Sequence, residues 1–492
     1  MLFRRQSEDQ LSPTFDDPRR TLRKPSAIFG LVSTIVGGGV LSLPYAFSQT
    51  GLVLGASLLV ICACASDYTV QLLVECARRT GAETYEELAL HAYGRSARVA
   101  VVSVIGALTW ISTVAYLVLI TDMLTPIARD ELGLPLHRQG VMLSAAACVC
   151  PLCLPRSLQA LRFTSVLCVV AVLALAGCIA YRSLTDGYAF APPPDAAARG
   201  IDLRVLVWPA SVRAAWHGAL HALPIFCVSF LCHFNVLSTH TELHEPSRGR
   251  IAAVVHQTMA LCCSLYLAVG VLGYLHRLGE TRGDVLLNFA PDDAVINGGR
   301  GALALVLFFS TPLLVLPCRD CVLRLLAGLP SPHEQDAPPA TRRGTAGDSG
   351  GAVGLGMGGG GPALRALKQP LVAPSDAVAA RSTVDACCGD WWAAHATAHA
   401  ELLGRVCVSA CVLGSSTCAA LLVPDIVAVW SLLGSSIAML VAFLLPAVFF
   451  LRIRAHKPWR AKKLVAVLVL VVGTGLAVVG TQQALHSSAT PT

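Results

Sequence analysis

The sequence predicts an all-α polytopic membrane protein that crosses the bilayer about eleven times. Of the 492 residues, 54% are hydrophobic and only 14% are charged, whereas soluble domains carry about 25% charged residues. Apolar stretches suited to the hydrocarbon core, which is roughly 30 Å thick, recur along the chain. They lie at residues 26–49, 52–76, 98–128, 139–154, 160–183, 216–238, 251–275, 301–325, 399–423, 426–451 and 464–483.

The first of these stretches is interrupted near its middle. The segment IVGGGVLSLPYAF places Gly37, Gly38 and Gly39, followed by Pro44, inside the apolar run. Glycine weakens a helix and proline breaks one. Freed backbone groups are tolerated at membrane depth only inside protein or beside a water-filled cavity, and in transporters they bind the solute. The break therefore predicts a solute site, with close packing of small residues as the alternative.

The sixth stretch contains a second candidate interruption. It reads HALPIFCVSFLCH, with Pro224 near its centre. In an inverted repeat of five plus five spans, the sixth span is the structural counterpart of the first. Interruptions at corresponding positions of two such halves indicate a transporter's binding site.

Basic residues predict how the chain is oriented and divided. The first 25 residues are polar and rich in Arg and Lys, so the N-terminus is expected in the cytoplasm, and alternation places the basic loops there too. The net charge of +7 follows from this bias, so the expected partners are the lipid bilayer and a small solute, not nucleic acid. Protein partners are left open. The expected segments are a tail at 1–25, spans 1–8 at 26–327, a flexible Gly/Pro-rich cytoplasmic linker at 328–397, spans 9–11 at 398–483 and a C-terminal tail at 484–492.

Five segments distributed along the chain carry a family resemblance. They read IVGGGVLSLPYAFSQTG, TYEELALHAYG, ALPIFCVSFLCHFNVLSTHTEL, STPLLVLPCRD and VPDIVAVWSLLGSSIAMLVAFLLPAVFFLRI. They resemble the amino acid/auxin permease family, and within it the system A and system N neutral amino acid transporters. The resemblance implies a LeuT-like fold of the APC superfamily, a five-plus-five inverted repeat with one further span. In that fold the first and sixth spans are broken, and an amino acid moves by alternating access.

The resemblance also implies a binding site between the first and sixth spans. Backbone N–H groups of the glycine turn would bind the substrate carboxylate, which the positive end of the following half-helix favours. Carbonyl groups at a break near Phe226 to Ser229 would bind the ammonium group. A tyrosine of the third span is a candidate to close the pocket, with ordinary helix packing as its alternative. The implied substrate-binding residues are Gly37, Gly38, Gly39, Val40, Tyr116, Phe226 and Ser229.

Two sets of residues are candidates for coupling transport to an ion, one for sodium and one for a proton. In sodium-coupled members of the family, an asparagine in the first span and a threonine in the eighth help to coordinate the ion. Ser33 and Thr311 occupy those positions here, and serine supplies no amide carbonyl. Proton coupling requires a titratable group, and an ionisable residue inside the membrane is a functional candidate. The candidates are Asp67, Asp122, His217, His221 and His233. Na⁺ or H⁺ is the possible coupling ion, and no other cofactor is expected.

Catalytic and metal-binding functions are not predicted. The segment HTELHE at 240–245 lacks the HExxH spacing of zinc proteases, and no grouping of nucleophile, base and orienting group is evident. The sequence therefore predicts a secondary active transporter of small or neutral amino acids, not an enzyme. The alternative is an amino acid sensor of the same fold that signals through a cytoplasmic partner. The plasma membrane and lysosomal or vacuolar membranes are all compatible with the sequence.

Overall fold

The computed structural model describes residues 20–131, 133, 135, 137–154, 164–190, 207–245, 247–328, 403–423 and 426–489. Nearly all of the predicted N-terminal tail and of the linker at 328–397 lies outside these ranges. The chain divides into two units, of which residues 326–407 form the smaller. The larger unit contains both interrupted helices.

The described residues are helical, apart from short connections and one isolated bridge between Leu22 and Leu243. The helices are α1 (Lys24–Ile35), α2 (Leu43–Thr50), α3 (Leu52–Thr80), α4 (Tyr85–Tyr93), α5 (Arg95–Pro126), α6 (Arg138–Val149), α7 (Thr164–Asp186), α8 (Val212–Ser229), α9 (His233–Glu242), α10 (Arg248–Arg277), α11 (Ala294–Leu326), α12 (Leu403–Leu422), α13 (Ile426–Leu433), α14 (Leu445–Ile453) and α15 (Ala461–Ala489).

Ten helical segments within the described ranges suit a membrane by length and apolar composition. Nine are single spans, with α8 and α9 counted together, and the bent pair α1 and α2 is the tenth. The apolar helix Arg138–Cys153 is shorter. The predicted all-α membrane fold is therefore confirmed, whereas the predicted total of about eleven spans stays a prediction.

The first span is broken where its glycines lie. The helices on either side of the break meet at an angle of 53°, and a 3₁₀ turn at Gly38–Ser42 follows the break. Pro44 lies in the first turn of α2, where its missing N–H group has no helical partner to lose. The predicted interruption is therefore confirmed, and the proline begins the second half-helix.

The sixth span is interrupted at residues 230–232, between α8 and α9. The predicted break near Phe226 to Ser229 falls one turn too early, because both residues belong to the last turn of α8. Pro224 lies inside α8 as well. The carbonyl group of Ser229, at the end of α8, accepts a hydrogen bond from the hydroxyl group of Tyr266 on α10.

The segment TYEELALHAYG, between the second and third spans, contains the short helix α4. Thr84 begins it, because its side-chain oxygen accepts a hydrogen bond from the N–H group of Glu87 at 3.3 Å. The hydroxyl group of Tyr85 donates to the carbonyl of Val441 at 2.6 Å. Val441 lies in a π-helical turn, Leu440–Leu444, between α13 and α14. The short helix is thereby attached to an irregular turn of the tenth span.

Candidate functional site

The breaks of the first and sixth spans lie against each other. A methyl group placed on Gly39 would be 3.2 Å from Oγ of Ser229 and 3.7 Å from its Cα. The hydroxyl group of Ser229 donates to the carbonyl of Ile225 at 2.7 Å. A methyl group at Gly39 would therefore be in tight contact with the last residue of α8. The predicted neighbours Gly39 and Ser229 are therefore brought together.

One tyrosine of the seventh span, α10, makes hydrogen-bonding contacts with both breaks. The hydroxyl group of Tyr266 lies 2.8 Å from the carbonyl oxygen of Ile35 and 3.0 Å from that of Ser229. Those carbonyls end α1 and α8, where helical partners are lost. Tyr266 is fully buried, and its single O–H proton is shared between the two oxygens. Sequence reasoning missed this residue, since its only signal is one hydroxyl group in an apolar helix.

The third span, α5, packs over the glycine turn, which comprises residues 37–40. A methyl group on Gly37 would be 2.6 Å from the hydroxyl oxygen of Tyr116. One on Gly38 would be 2.0 Å from Cδ1 of Leu119 and 3.1 Å from the ring of Trp430. Tyr116 therefore lies directly over the break, as expected for a residue that closes a pocket there.

Several backbone groups of the break are bonded inside the protein. The N–H group of Gly37 donates to the carbonyl of Ile35 at 3.0 Å, and that of Val40 donates to the carbonyl of Gly37 at 3.3 Å. The thiol of Cys168 on α7 donates to the carbonyl of Val36 at 3.5 Å. Two of the four predicted carboxylate donors are thus used within the turn itself. Their role toward a substrate stays a prediction.

Phe226 contributes to packing beside the break. Its ring is fully buried and meets the ring of Phe47 edge to face, with the centroids 5.9 Å apart. Edge-to-face aromatic pairs are favourable beyond the area they bury. Phe226 therefore holds the end of α8 against α2.

The predicted sodium ligands bond within their own helices. The hydroxyl group of Ser33 donates to the carbonyl of Gly30 at 2.9 Å, and that of Thr311 donates to the carbonyl of Leu307 at 2.7 Å. Within the described ranges no hydrogen bond joins the two side chains. Each hydroxyl oxygen keeps acceptor capacity, so a role in ion binding stays a prediction.

Three of the other ionisable candidates, Asp122, His221 and His233, have polar partners. Asp122 forms an ion pair with Arg138 at 2.9 Å. The Nε2 atom of His233 lies 2.9 Å from the hydroxyl oxygen of Thr69, and the ring is fully buried. The Nε2 atom of His221 lies 2.6 Å from the side-chain nitrogen of Gln483, and His217 is the neighbour of His221 one turn earlier on α8.

Asp67 pairs with a histidine of the seventh span. Its carboxylate is 2.9 Å from Nδ1 of His256 on α10, and it accepts a hydrogen bond from the side chain of Gln71 at 3.3 Å. The pair borders a groove between α3 and α10 on the outside of the bundle.

A bundle of apolar helices in which two interrupted helices meet around shared polar contacts is the architecture of a secondary transporter. The family model described as transmembrane amino acid transporter protein matches residues 20–486. The chain belongs to this family, whose named relatives are transporters and not enzymes.

Relatives in animals and yeast support this assignment. Solute carrier family 38 member 10 of Mus musculus is 30% identical over 304 residues, which cover 61% of this chain and 26% of that protein. Vacuolar amino acid transporter 5 of Schizosaccharomyces pombe is 30% identical over 315 residues, which cover 63% of this chain and 71% of that protein. The matched region thus spans about a quarter of the length of the mammalian relative.

Solved structures of transporters are similar at low identity. A manganese transporter of Eremococcus coleocola is 13% identical, with 96% of this chain and 89% of that chain covered and a TM-score of 0.46. MhsT in complex with L-phenylalanine is 11% identical, with 92% and 98% covered and a TM-score of 0.43.

Proposed function

We propose that this chain is a secondary active transporter that moves small neutral amino acids by alternating access, coupled to a proton or sodium gradient. The observation that carries the proposal is the meeting of two interrupted spans at Gly39 and Ser229. The hydroxyl group of Tyr266 contacts a backbone carbonyl of each span, that of Ile35 and that of Ser229. Family membership supports an amino acid as the solute.

The proposed site uses opposite charges at the two ends of an amino acid. The substrate carboxylate binds beside the glycine turn, where the N-terminal end of α2 carries a partial positive charge. The ammonium group binds the carbonyls that the sixth-span break leaves outside a helix. Tyr116 lies over Gly37 and closes the site from the third span. A small substrate side chain is favoured, because a methyl group added at Gly37 or Gly38 would already lie within 2.6 Å of a side-chain atom.

Alternating access then requires the two breaks to bend together. Because the hydroxyl group of Tyr266 contacts the ends of α1 and α8, a tilt of one half-helix is transmitted to the other. The coupling ion binds at Ser33 and Thr311 if it is sodium, and at one of the ionisable candidates, including Asp67 and Asp122, if it is a proton. The N-terminus is proposed to face the cytoplasm, and the named yeast relative favours a vacuolar or lysosomal membrane.

The deciding experiment is uptake of radiolabelled amino acids into proteoliposomes that contain the purified full chain. Sodium and proton gradients are imposed separately, and protein-free liposomes and ionophore-collapsed gradients are the controls. Saturable uptake driven by one gradient is expected. Sodium-driven uptake would support Ser33 and Thr311 as candidate ion ligands, whereas proton-driven uptake would argue against that role. Saturable amino acid binding without flux would contradict transport and favour a sensor.

A further inference from the structure

The outer face of the bundle carries a groove that is lined in part by Asp67, one of the candidate residues for proton coupling. It lies between α3 and α10 and has a volume of about 270 Å³. Asp67 and His256 form one end, and small side chains continue from them along both helices. The small lining residues are Ala63, Cys64, Ala260 and Cys263.

The groove runs lengthwise, with its charged end toward one face of the membrane. Helices α3 and α10 are antiparallel, because Asp67 pairs with His256 while Glu75 lies 3.9 Å from Arg248. Glu75 also contacts Lys462 at 3.4 Å, and clustered basic residues of this kind mark a membrane surface. Asp67 lies about 12 Å deeper than Glu75 along α3, at 1.5 Å per residue. The apolar end of the groove therefore points toward the bilayer centre.

The polar pair faces the lipid. The side chain of His256 is 59% exposed and that of Asp67 is 19% exposed. A charged group in the bilayer is costly, and polar groups removed from water require hydrogen-bonding partners. A lipid whose head group reaches this depth supplies such a partner. Asp67 and His256 already bond to each other and to Gln71, so a lipid hydroxyl group would be an additional partner on the exposed side of the pair.

The chemistry of the groove selects the kind of lipid. A carboxylate accepts hydrogen bonds and repels phosphate, and the residues that line the groove include neither Lys nor Arg. The basic cluster around Glu75 lies nearer the membrane surface, where phosphate head groups reside. A hydroxyl head group suits the deeper carboxylate, and a rigid apolar body suits the shallow surface of small side chains. We infer that this groove binds a sterol, with its hydroxyl group donating to Asp67 and its ring system along Ala63, Cys64, Ala260 and Cys263.

Photolabelling tests the inference. The purified full chain in sterol-free nanodiscs is irradiated with a diazirine-bearing sterol, and the labelled peptides are mapped by mass spectrometry. Saturable labelling of residues 60–67 and 256–263 is expected, with competition by unlabelled sterol. Labelling elsewhere, or labelling here that diacylglycerol displaces and sterol does not, overturns the assignment.

Matched variants separate the groove from the rest of the lipid-facing surface. Asp67→Leu removes the acceptor, so binding is expected to weaken about tenfold, the value of one hydrogen bond to a charged group. Ala260→Phe fills the groove and is expected to abolish labelling. Leu261→Phe enlarges the next side chain of α10, which is 56% exposed and lies outside the groove, and should label normally. Equal labelling of all three variants overturns the proposal. If Ala260→Phe does not fold, Ala63→Phe fills the same groove from α3. Amino acid uptake is measured separately, so failure of transport and failure of sterol binding are distinguishable.

Discussion

A single hydroxyl group, that of Tyr266, satisfies carbonyls from two interrupted spans. In Tyr266→Phe, the carbonyls of Ile35 and Ser229 both lose this donor while the ring remains in place. Leaving buried carbonyl groups without this partner costs about 1 to 3 kcal/mol. We expect a lower free energy of unfolding, measured by thermal or denaturant unfolding in nanodiscs. We also expect reduced amino acid uptake, because the two breaks are no longer joined.

A second tyrosine of α10 provides the control. Tyr274 is buried, and its hydroxyl group makes no hydrogen bond within the described ranges. Tyr274→Phe should therefore change stability and uptake little. Equal effects of the two substitutions would show that Tyr266 acts only through packing, which contradicts the proposed link.

The contact between Gly37 and Tyr116 predicts a rescue. In Gly37→Ala, the new methyl group would lie 2.6 Å from the hydroxyl oxygen of Tyr116 but 3.5 Å from the ring carbon that carries it. Uptake should therefore fall by about tenfold or more, since overpacking of this kind typically costs 1 to 3 kcal/mol. Removing only the hydroxyl group, as in Gly37→Ala with Tyr116→Phe, should recover part of the lost uptake. Transport assays on both single variants and the double variant measure the coupling.

Gly30 supplies the control for this rescue, because no neighbouring atom lies within 4 Å of a methyl group at that position. Gly30→Ala should retain normal uptake. If the double variant is no better than Gly37→Ala, the two residues do not meet in the functional protein.

At the level of elements, Asp293 joins the start of α11 to α7. Its carboxylate accepts hydrogen bonds from the N–H groups of Val295 at 3.0 Å and Ile296 at 3.3 Å, which makes it the N-cap of α11. It also forms an ion pair with Arg182 at 2.7 Å. Loss of hydration alone would raise the pKa of Asp293, but the Arg182 guanidinium and the two N–H groups outweigh it and hold the pKa below its usual range.

This shift predicts how stability depends on pH. Because the pKa of the folded state lies below the unfolded value of about 3.9, the interaction contributes stability above that pH and loses it as the pH falls through the folded-state pKa. Asp293→Asn should therefore lower the melting temperature at pH 7. The difference in melting temperature between this variant and the wild type should shrink as the pH falls below about 4. Melting temperatures of both proteins across pH 3 to 8 test this.

The neighbouring Asp292 is exposed, so Asp292→Asn should melt like the wild type throughout the same pH range. A difference between Asp293→Asn and the wild type that is independent of pH would show that the carboxylate charge is not responsible.

The two interruptions show what the sequence can predict at this scale. The break of the first span depends on local chemistry, because glycine and proline act on their own backbone, and its position was predicted correctly. The break of the sixth span was expected near Phe226 to Ser229 and lies at residues 230–232. The last carbonyl group of α8, that of Ser229, is bonded to Tyr266 on another helix. No local sequence pattern reveals such a tertiary contact. The pairing of Asp67 with His256 on the outside of the bundle is also a tertiary contact and could not be predicted from local sequence.

At the scale of the whole molecule, the proposed transport machinery lies in the larger unit, residues 1–325 with 408–492. Both breaks, Tyr266 and Tyr116 belong to it. Apart from Gly328, the Gly/Pro-rich linker at 328–397 lies outside the described residues, and its composition is poor in the large apolar residues that a core requires. A transporter therefore does not need most of this segment for flux, whereas a sensor could use it to contact a partner.

Removal of residues 335–365 distinguishes these functions. Because the deletion leaves every described contact of the larger unit intact, we expect saturable amino acid uptake near the wild-type rate in proteoliposomes, at equal amounts of inserted protein. A variant in which the same segment is replaced by a Gly/Ser sequence of equal length controls for the distance between the eighth and ninth spans. If both variants bind amino acid with normal affinity but lose flux, the segment takes part in transport itself. If the wild type shows binding without flux and the deletion abolishes only a signalling output in cells, the sensor function replaces the transporter.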